Sequence, residues 1–268
     1  MSDTVLDEIV SAVLQRLEIA PEAPGLEDAA REAADLRRAG GLRSLQSALA
    51  GPGAAVIAEC KKASPSAGII RADFDPVALA LAFAEAGAAA ISVVTEPDFF
   101  AGDPGSLAAV RAAVDLPVLR KDFVVSRRQL LETAVLGADA VLLIHRLLDP
   151  GVLADLVATA GELDLEVLLE IFADEDPGTA VVSGARIIGV NARDLETFEV
   201  RLDRVEAMAS KLPTDRVRVA ESGIHDVGTL ARLAEAGYDA FLVGEHLVRA
   251  DDPGEALRRL LGSETDPC

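Results

Sequence analysis

The chain has no tryptophan and a single tyrosine, so a core built on large aromatic rings is excluded. Burial must come from Ala, Val, Leu and Ile, which suits helices packed on a covered sheet. The two cysteines, Cys60 and Cys268, make no disulfide framework. No apolar run is long enough to cross a bilayer, and the acidic, polar start from Met1 to Val13 resembles no secretion signal. Positive charge is scarce as well. With 45 acidic and 25 basic residues the net charge is −20, which argues against nucleic acid or an anionic membrane as partner, since both need a basic footprint. The expectation is a soluble protein of a reducing cytoplasm, large enough at 268 residues and half apolar to bury a substantial core.

Lysine is rare even among the cations. Only Lys61, Lys62, Lys121 and Lys211 are lysines, and three of the four follow short apolar runs, 54–58 and 116–119. Where any exposed cation will serve, this chain uses arginine, so its remaining lysines are enriched in positions that need a compact, titratable ammonium. Burial or a neighbouring cation moves a lysine toward neutrality and makes it a proton donor. The plainer alternative is that Lys61 and Lys121 simply cap strands at the surface.

From Ala54 onward short β-branched runs alternate with helix-patterned segments. Strands are expected at Val56–Ala58, Ala90–Val94, Val118–Leu119, Ala140–Ile144, Val167–Leu169, Ile187–Val190, Val217–Ala220 and Ala240–Val243. Helices are expected at Pro76–Ala86, Pro104–Val114, Arg127–Leu136, Pro150–Glu162, Asp174–Ser183, Leu202–Lys211, Val227–Ala236 and Pro253–Leu261. The near-continuous apolar strands fit a parallel sheet covered on both faces, and a recurring helix–Gly–strand joint implies one reused β–α unit. Eight such units over about 215 residues predict an α/β fold, a single (β/α)8 TIM barrel, a fold of typically ~250 residues. A doubly wound open sheet is the runner-up, but it would carry a Gly-rich turn after the first strand, where this chain has Glu-Cys-Lys-Lys. Residues 1–50 are expected to form a helical extension on the barrel, with helices over Val5–Leu17 and Leu26–Arg38. Residues 51–262 are expected to form the barrel and 263–268 a tail.

Active sites of such barrels lie at the C-terminal strand ends. Those ends carry Glu59 and Lys61, Thr95 and Glu96, Lys121 and Asp122, His145, Glu170, Asn191 and Arg193, Glu221 and Ser222, and Gly244 and Glu245. Strand ends are polar by default, yet that default does not concentrate scarce lysines there. The loops after strands seven and eight, with Ser222, Gly223 and Gly244, suit the phosphate site that recurs in this fold. Glycines there let backbone N–H groups approach an anion, whatever the net charge.

Four segments carry a family resemblance: 56–68 (VIAECKKASPSAG), 119–123 (LRKDF), 188–195 (IGVNARDL) and 220–224 (AESGI). In this order they resemble indole-3-glycerol phosphate synthase. The resemblance implies a TIM-barrel lyase of tryptophan biosynthesis. Its substrate would be 1-(2-carboxyphenylamino)-1-deoxyribulose 5-phosphate, closed to an indole with loss of carbon dioxide and water. It implies Lys121 as general acid, Lys61 on the substrate carboxylate, and Glu59 and Glu170 as acid–base carboxylates assisted by Asn191. Arg193 and Glu221 would be further substrate contacts, with Phe100 and Phe123 as walls for the anthranilate ring. Ser64, Ser222, Gly223, Gly244 and the Glu245 backbone would cradle the phosphate. No cofactor and no metal are expected, since His145, His225 and His246 fall on different loops without metal-like spacing. A monomer is the expectation, with contacts to other pathway enzymes left open. Ala67, Ile171-Phe172 and His246 depart from the family's usual lysine, Val-His and serine. Rival readings are a sugar-phosphate isomerase barrel, which needs no pair of lysines, and a non-catalytic phosphate-binding barrel, which would have lost one of Lys121, Glu59 or Glu170.

Overall fold

A computed structural model describes residues 4–51, 53–194 and 197–263. Leu195 of the third motif, Cys268 and the expected tail beyond Ser263 lie outside the described residues. Eight parallel strands close into a barrel: β1 (Ala55–Cys60), β2 (Ala90–Val94), β3 (Val118–Lys121), β4 (Ala140–Ile144), β5 (Glu166–Phe172), β6 (Ile187–Asn191), β7 (Val217–Glu221) and β8 (Ala240–Val243). Each strand pairs with the next in sequence, and β1 closes the ring on β8 through Ala55 opposite Ala240 and Ala58 opposite Val243. The expected TIM barrel is therefore found, with every expected strand in it.

Several of the surrounding helices start where the sequence places Asp-Pro. Asp75, Asp103 and Asp252 accept hydrogen bonds from backbone N–H groups in the first turns of Pro76–Glu85, Pro104–Ala113 and Pro253–Leu260. Proline at the first helical position has no N–H to leave unpaired. Helices hand over to strands through left-handed glycines, as at Gly87 (φ 95°) and Gly237 (φ 113°). The helix expected over 174–183 is shorter, Gly178–Val182. Glu175 turns back to accept from the Phe172 N–H, and Asp176 accepts from Gly178 N–H, so these residues form a turn.

The N-terminal segment wraps the barrel from top to bottom. Its first helix, Val5–Ile19, buries Leu6, Ile9 and Val13 among residues at the catalytic end, including Phe123 and Ile144. The second, Leu26–Gly40, lies on helix Arg127–Val135. There buried Arg37 donates to the carbonyls of Ala134 at 2.9 Å and Leu163 at 2.5 Å. A third helix, Leu45–Leu49, was not expected, because five residues are too few to show a period. It plugs the barrel floor with Leu45 and Leu49, both fully buried, and Glu166 at the start of β5 accepts from Ser44 Oγ at 2.7 Å and from Gln46 N–H at 2.8 Å. The chain thus enters β1 from below.

Truncating the floor separates stability from chemistry. Leu45→Ala should cost about 3 kcal/mol of unfolding free energy, seen as a lower denaturant midpoint, with the Michaelis constant unchanged because the plug lies at the far end from the mouth.

Candidate active site

Glu59, Lys121, Glu170, Asn191 and Glu221 lie within the last residues of their strands, and Lys61 directly follows β1. Parallel closure points these ends into one open pocket, whose space, counted together with the solvent at its mouth, is about 910 Å³. Its walls include Glu59, Lys61, Ser64, Phe100, Lys121, Phe123, Glu170, Asn191, Arg193, Glu221, Ser222 and Glu245. Gly223 and Gly244, the remaining two expected site residues, are not among its lining.

The inner layer is two lysine–carboxylate pairs. Lys61 Nζ lies 2.7 Å from Glu59 Oε1. Lys121 Nζ donates to Glu170 Oε2 at 2.9 Å and lies 3.6 Å from Glu221 Oε2. Asn191 donates from Nδ2 to the other Glu170 oxygen at 3.1 Å, while its Oδ1 accepts from the Arg193 N–H at 3.0 Å. Arg193 also reaches Glu245 at 3.8 Å.

Burial and charge act against each other here. Burial alone would neutralise Lys121, as the sequence suggested. The combined field of Glu170, Glu221 and Glu59 outweighs it and holds the ammonium above the ordinary lysine range. Lys121 is therefore a firmly charged cation, which corrects the expectation of a lysine moved toward neutrality. Glu59 is penalised by burial, but Lys61 and Lys121 keep it below the usual carboxylate range. Glu170 is likewise penalised by burial and brought down by Lys121 and Asn191. Glu221 goes the other way. Burial and the neighbouring Glu170 charge push it well above the carboxylate range, against the pull of Lys121. The inner layer thus sets two lysines against three buried glutamates, one of which is pushed toward its protonated form, in a place where charge is costly.

Two glycines make room for this layer. Gly189 on β6 sits opposite Glu170 in the ladder, and a Cβ there would collide with Glu221 Oε1. A Cβ on Gly244 would collide with Glu59 Oε1. The sequence reading explained Gly244 and Gly223 by anion approach, but packing already requires both. Gly223 has φ +78°, and a side chain there would strike Val200. Ser222 beside it is also left-handed, at φ +70°, a conformation that is uncommon for a residue with a side chain.

One side of the cavity is apolar. Phe100 and Phe123 have ring centroids 5.9 Å apart at a 40° tilt, and Val5, Leu6 and Ile9 of the first helix complete that wall. Ser64 sits in a short hairpin formed by Ala63–Ser64 and Gly68–Ile69, where its Oγ accepts from the Ala67 N–H at 3.2 Å. Phe198, on the loop after β6, also lines the cavity and went unread, having no periodic neighbours to mark it. His145, at the end of β4, faces Glu175 at 3.6 Å and is not part of the cavity wall. Phe172 is buried under the Arg146 guanidinium, 4.4 Å from its ring centroid. His246 stacks edge-on to His225 at 5.5 Å. Among the described residues no group of three or more His, Cys, Asp or Glu side chains is placed to hold a metal ion.

The model of the family indole-3-glycerol phosphate synthase matches residues 6–260. The chain belongs to this family. It is 48% identical to the indole-3-glycerol phosphate synthase of Salinibacter ruber over 96% of this chain and 94% of that protein. It is 44% identical to that of a Polaromonas species over 98% and 99%. Among solved structures, a 3-hexulose-6-phosphate synthase covers 79% of this chain and 100% of its own, with TM-score 0.62 and 20% identity. That likeness concerns the barrel alone.

The upward shift of Glu221 has a testable sign. A carboxyl whose folded pKa is raised lends stability that is present at low pH and lost as pH climbs from the unfolded carboxylate value toward the folded one. Glu221→Gln, which mimics the neutral acid, should therefore melt no lower than the parent at pH 7 and lose that advantage at pH 4. Thermal melts at both values check this.

Proposed function

We infer that this chain catalyses the reaction of its family on a phosphorylated small molecule, closing the carboxyphenylamino-deoxyribulose phosphate to indole-3-glycerol phosphate with release of carbon dioxide and water. The observation that carries the reading is the pair of lysine–glutamate contacts facing one cavity with an aromatic wall. Ring closure requires the ketose carbonyl to accept electrons from the aromatic carbon that bears the carboxylate. As that bond forms, the carbonyl oxygen becomes an alkoxide, which is far more basic than an ammonium; water's own pKa is about 15.7. A Lys121 held firmly as a cation is thus still a competent donor to that oxygen. It also stabilises the developing charge without shifting protonation in the resting site.

Lys61 offers the substrate carboxylate a counter-ion until carbon dioxide leaves and the ring electrons are restored. Dehydration then expels the former carbonyl oxygen as water and removes a proton from the neighbouring carbon. Glu59 and Glu170 are held below the usual carboxylate range and lie close to the lysines, so one serves as base while a lysine, or Glu221 with its raised pKa, supplies the proton. Asn191 holds Glu170 in place, and Arg193 reaches Glu245 across the loops. Phe100 and Phe123 receive the anthranilate ring. Ser64, Ser222 and the backbone at Gly223, Gly244 and Glu245 take the phosphate. All of these groups come from one chain, so the reading needs no second subunit. A sugar-phosphate isomerase would have no use for both lysines or for the aromatic wall.

Product fluorescence with purified protein and the carboxyphenylamino substrate tests the activity. Lys121→Ala should lower turnover by about 10²–10⁴-fold, with a smaller effect on the Michaelis constant. Lys121→Arg should recover little, because arginine keeps the charge but releases its proton far less readily. Near-parental turnover of Lys121→Arg would reduce the role to charge alone.

A further inference from the structure

Glu96 ends the β2 side of the mouth without touching the cavity, and it is fully buried. Its carboxylate is nevertheless crowded with donors. Oε2 accepts from the N–H groups of Phe99 at 2.7 Å and Phe100 at 3.2 Å. Oε1 accepts from the Asp98 N–H at 3.1 Å and from Arg16 Nη1 at 3.1 Å. Arg16 also pairs with Asp98. The turn 97–102 that Glu96 organises closes back on it through the Gly102 N–H, 2.8 Å from the Glu96 carbonyl. The closure is tight enough that a Cβ on Gly102 would lie 2.6 Å from the Val94 carbonyl oxygen.

Two parts of the aromatic wall therefore converge on one carboxylate. Phe100 hangs from the turn that Glu96 caps. Val5, Leu6 and Ile9 ride on the same helix as Arg16. Arg16 lies eleven residues beyond Val5, roughly 16 Å along the axis at 1.5 Å per residue. We infer that Glu96 is a positioning residue for the ring-binding end of the cavity, fixing Phe100 through its backbone and the covering N-terminal helix through Arg16. A carboxylate suits this task, because hydrogen bonds to a charged acceptor are about twice as strong as neutral ones, and four donors share its two oxygens. The inference rests on Phe100 forming part of the ring wall.

Steady-state kinetics on Arg16→Ala, Arg16→Lys, Glu96→Gln, the double variant Arg16→Ala/Glu96→Gln and Phe100→Ala test it. Arg16→Ala should raise the Michaelis constant about 3–10-fold and Glu96→Gln by about tenfold or more, each with turnover within about threefold of the parent. Arg16→Lys should recover most of the Arg16→Ala loss. The double variant should be no worse than Glu96→Gln alone, because both changes cut one connection. If Glu96→Gln does not fold, the Arg16 pair decides, since Arg16 is partly exposed. Michaelis constants within twofold of the parent in Arg16→Ala, or effects that multiply in the double variant, overturn the inference. An unchanged Michaelis constant in Phe100→Ala would instead overturn the ring-wall reading beneath it.

Discussion

Lys121 and Glu170 meet at 2.9 Å from strands separated by one neighbour, at the top of a closed barrel. Much of the candidate site follows from that contact. An ammonium buried there needs an anion, and the anion needs a second donor, which Asn191 supplies from the next strand. A further carboxyl, Glu221, is pushed well above the usual carboxylate range by its burial and by the neighbouring Glu170 charge. Its carboxyl occupies the space where Gly189 has no side chain. Lys61 and Glu59 repeat the arrangement across the mouth, with Gly244 making room for Glu59. The result is a layer of opposed charges, in which removing a lysine or the carboxylate paired with it leaves a buried charge uncompensated.

The N-terminal segment divides its work between the two ends of the barrel. At the floor, Leu45 and Leu49 seal the apolar interior and Glu166 anchors their helix. At the mouth, Leu6 and Ile9 lie against the aromatic wall. The bottom face of such a barrel commonly serves stability and the top face chemistry, and one continuous stretch of chain contributes to both here.

The barrel was legible because its strands are apolar almost throughout and its helices hand over at left-handed glycines. What apolarity could not show were strand residues that are polar and buried. Strand β3 was read only to Leu119, yet it continues through Arg120 and Lys121. Arg120 turns away from the cavity into a network with Thr95, Asp122 and Thr133. The paired lysines were found by their rarity, but rarity does not reveal that carboxylates dominate the field around Lys121. Nor could a single glycine show its reason. Gly223 and Gly244 suit an anion equally well in sequence, and it is the fold that brings Val200 and Glu59 against them. A bulky Gly223 variant would consequently report packing as much as phosphate approach. Glu96 stood among the strand ends without a role, because its partners come from backbone N–H groups and from an arginine 80 residues earlier.

With only four lysines in the chain, the charge state of Lys121 can be observed directly. Lysine labelled at the ε position should give a small set of resolved signals in heteronuclear NMR, with Lys121→Arg identifying the one of interest. An ordinary lysine titrates at about 10.4. The Lys121 signal should remain that of an ammonium past that point, up to the pH at which the protein unfolds. A Lys121 signal half-titrated below about pH 9 would contradict the account, since it would mean that burial outweighs the carboxylates around it.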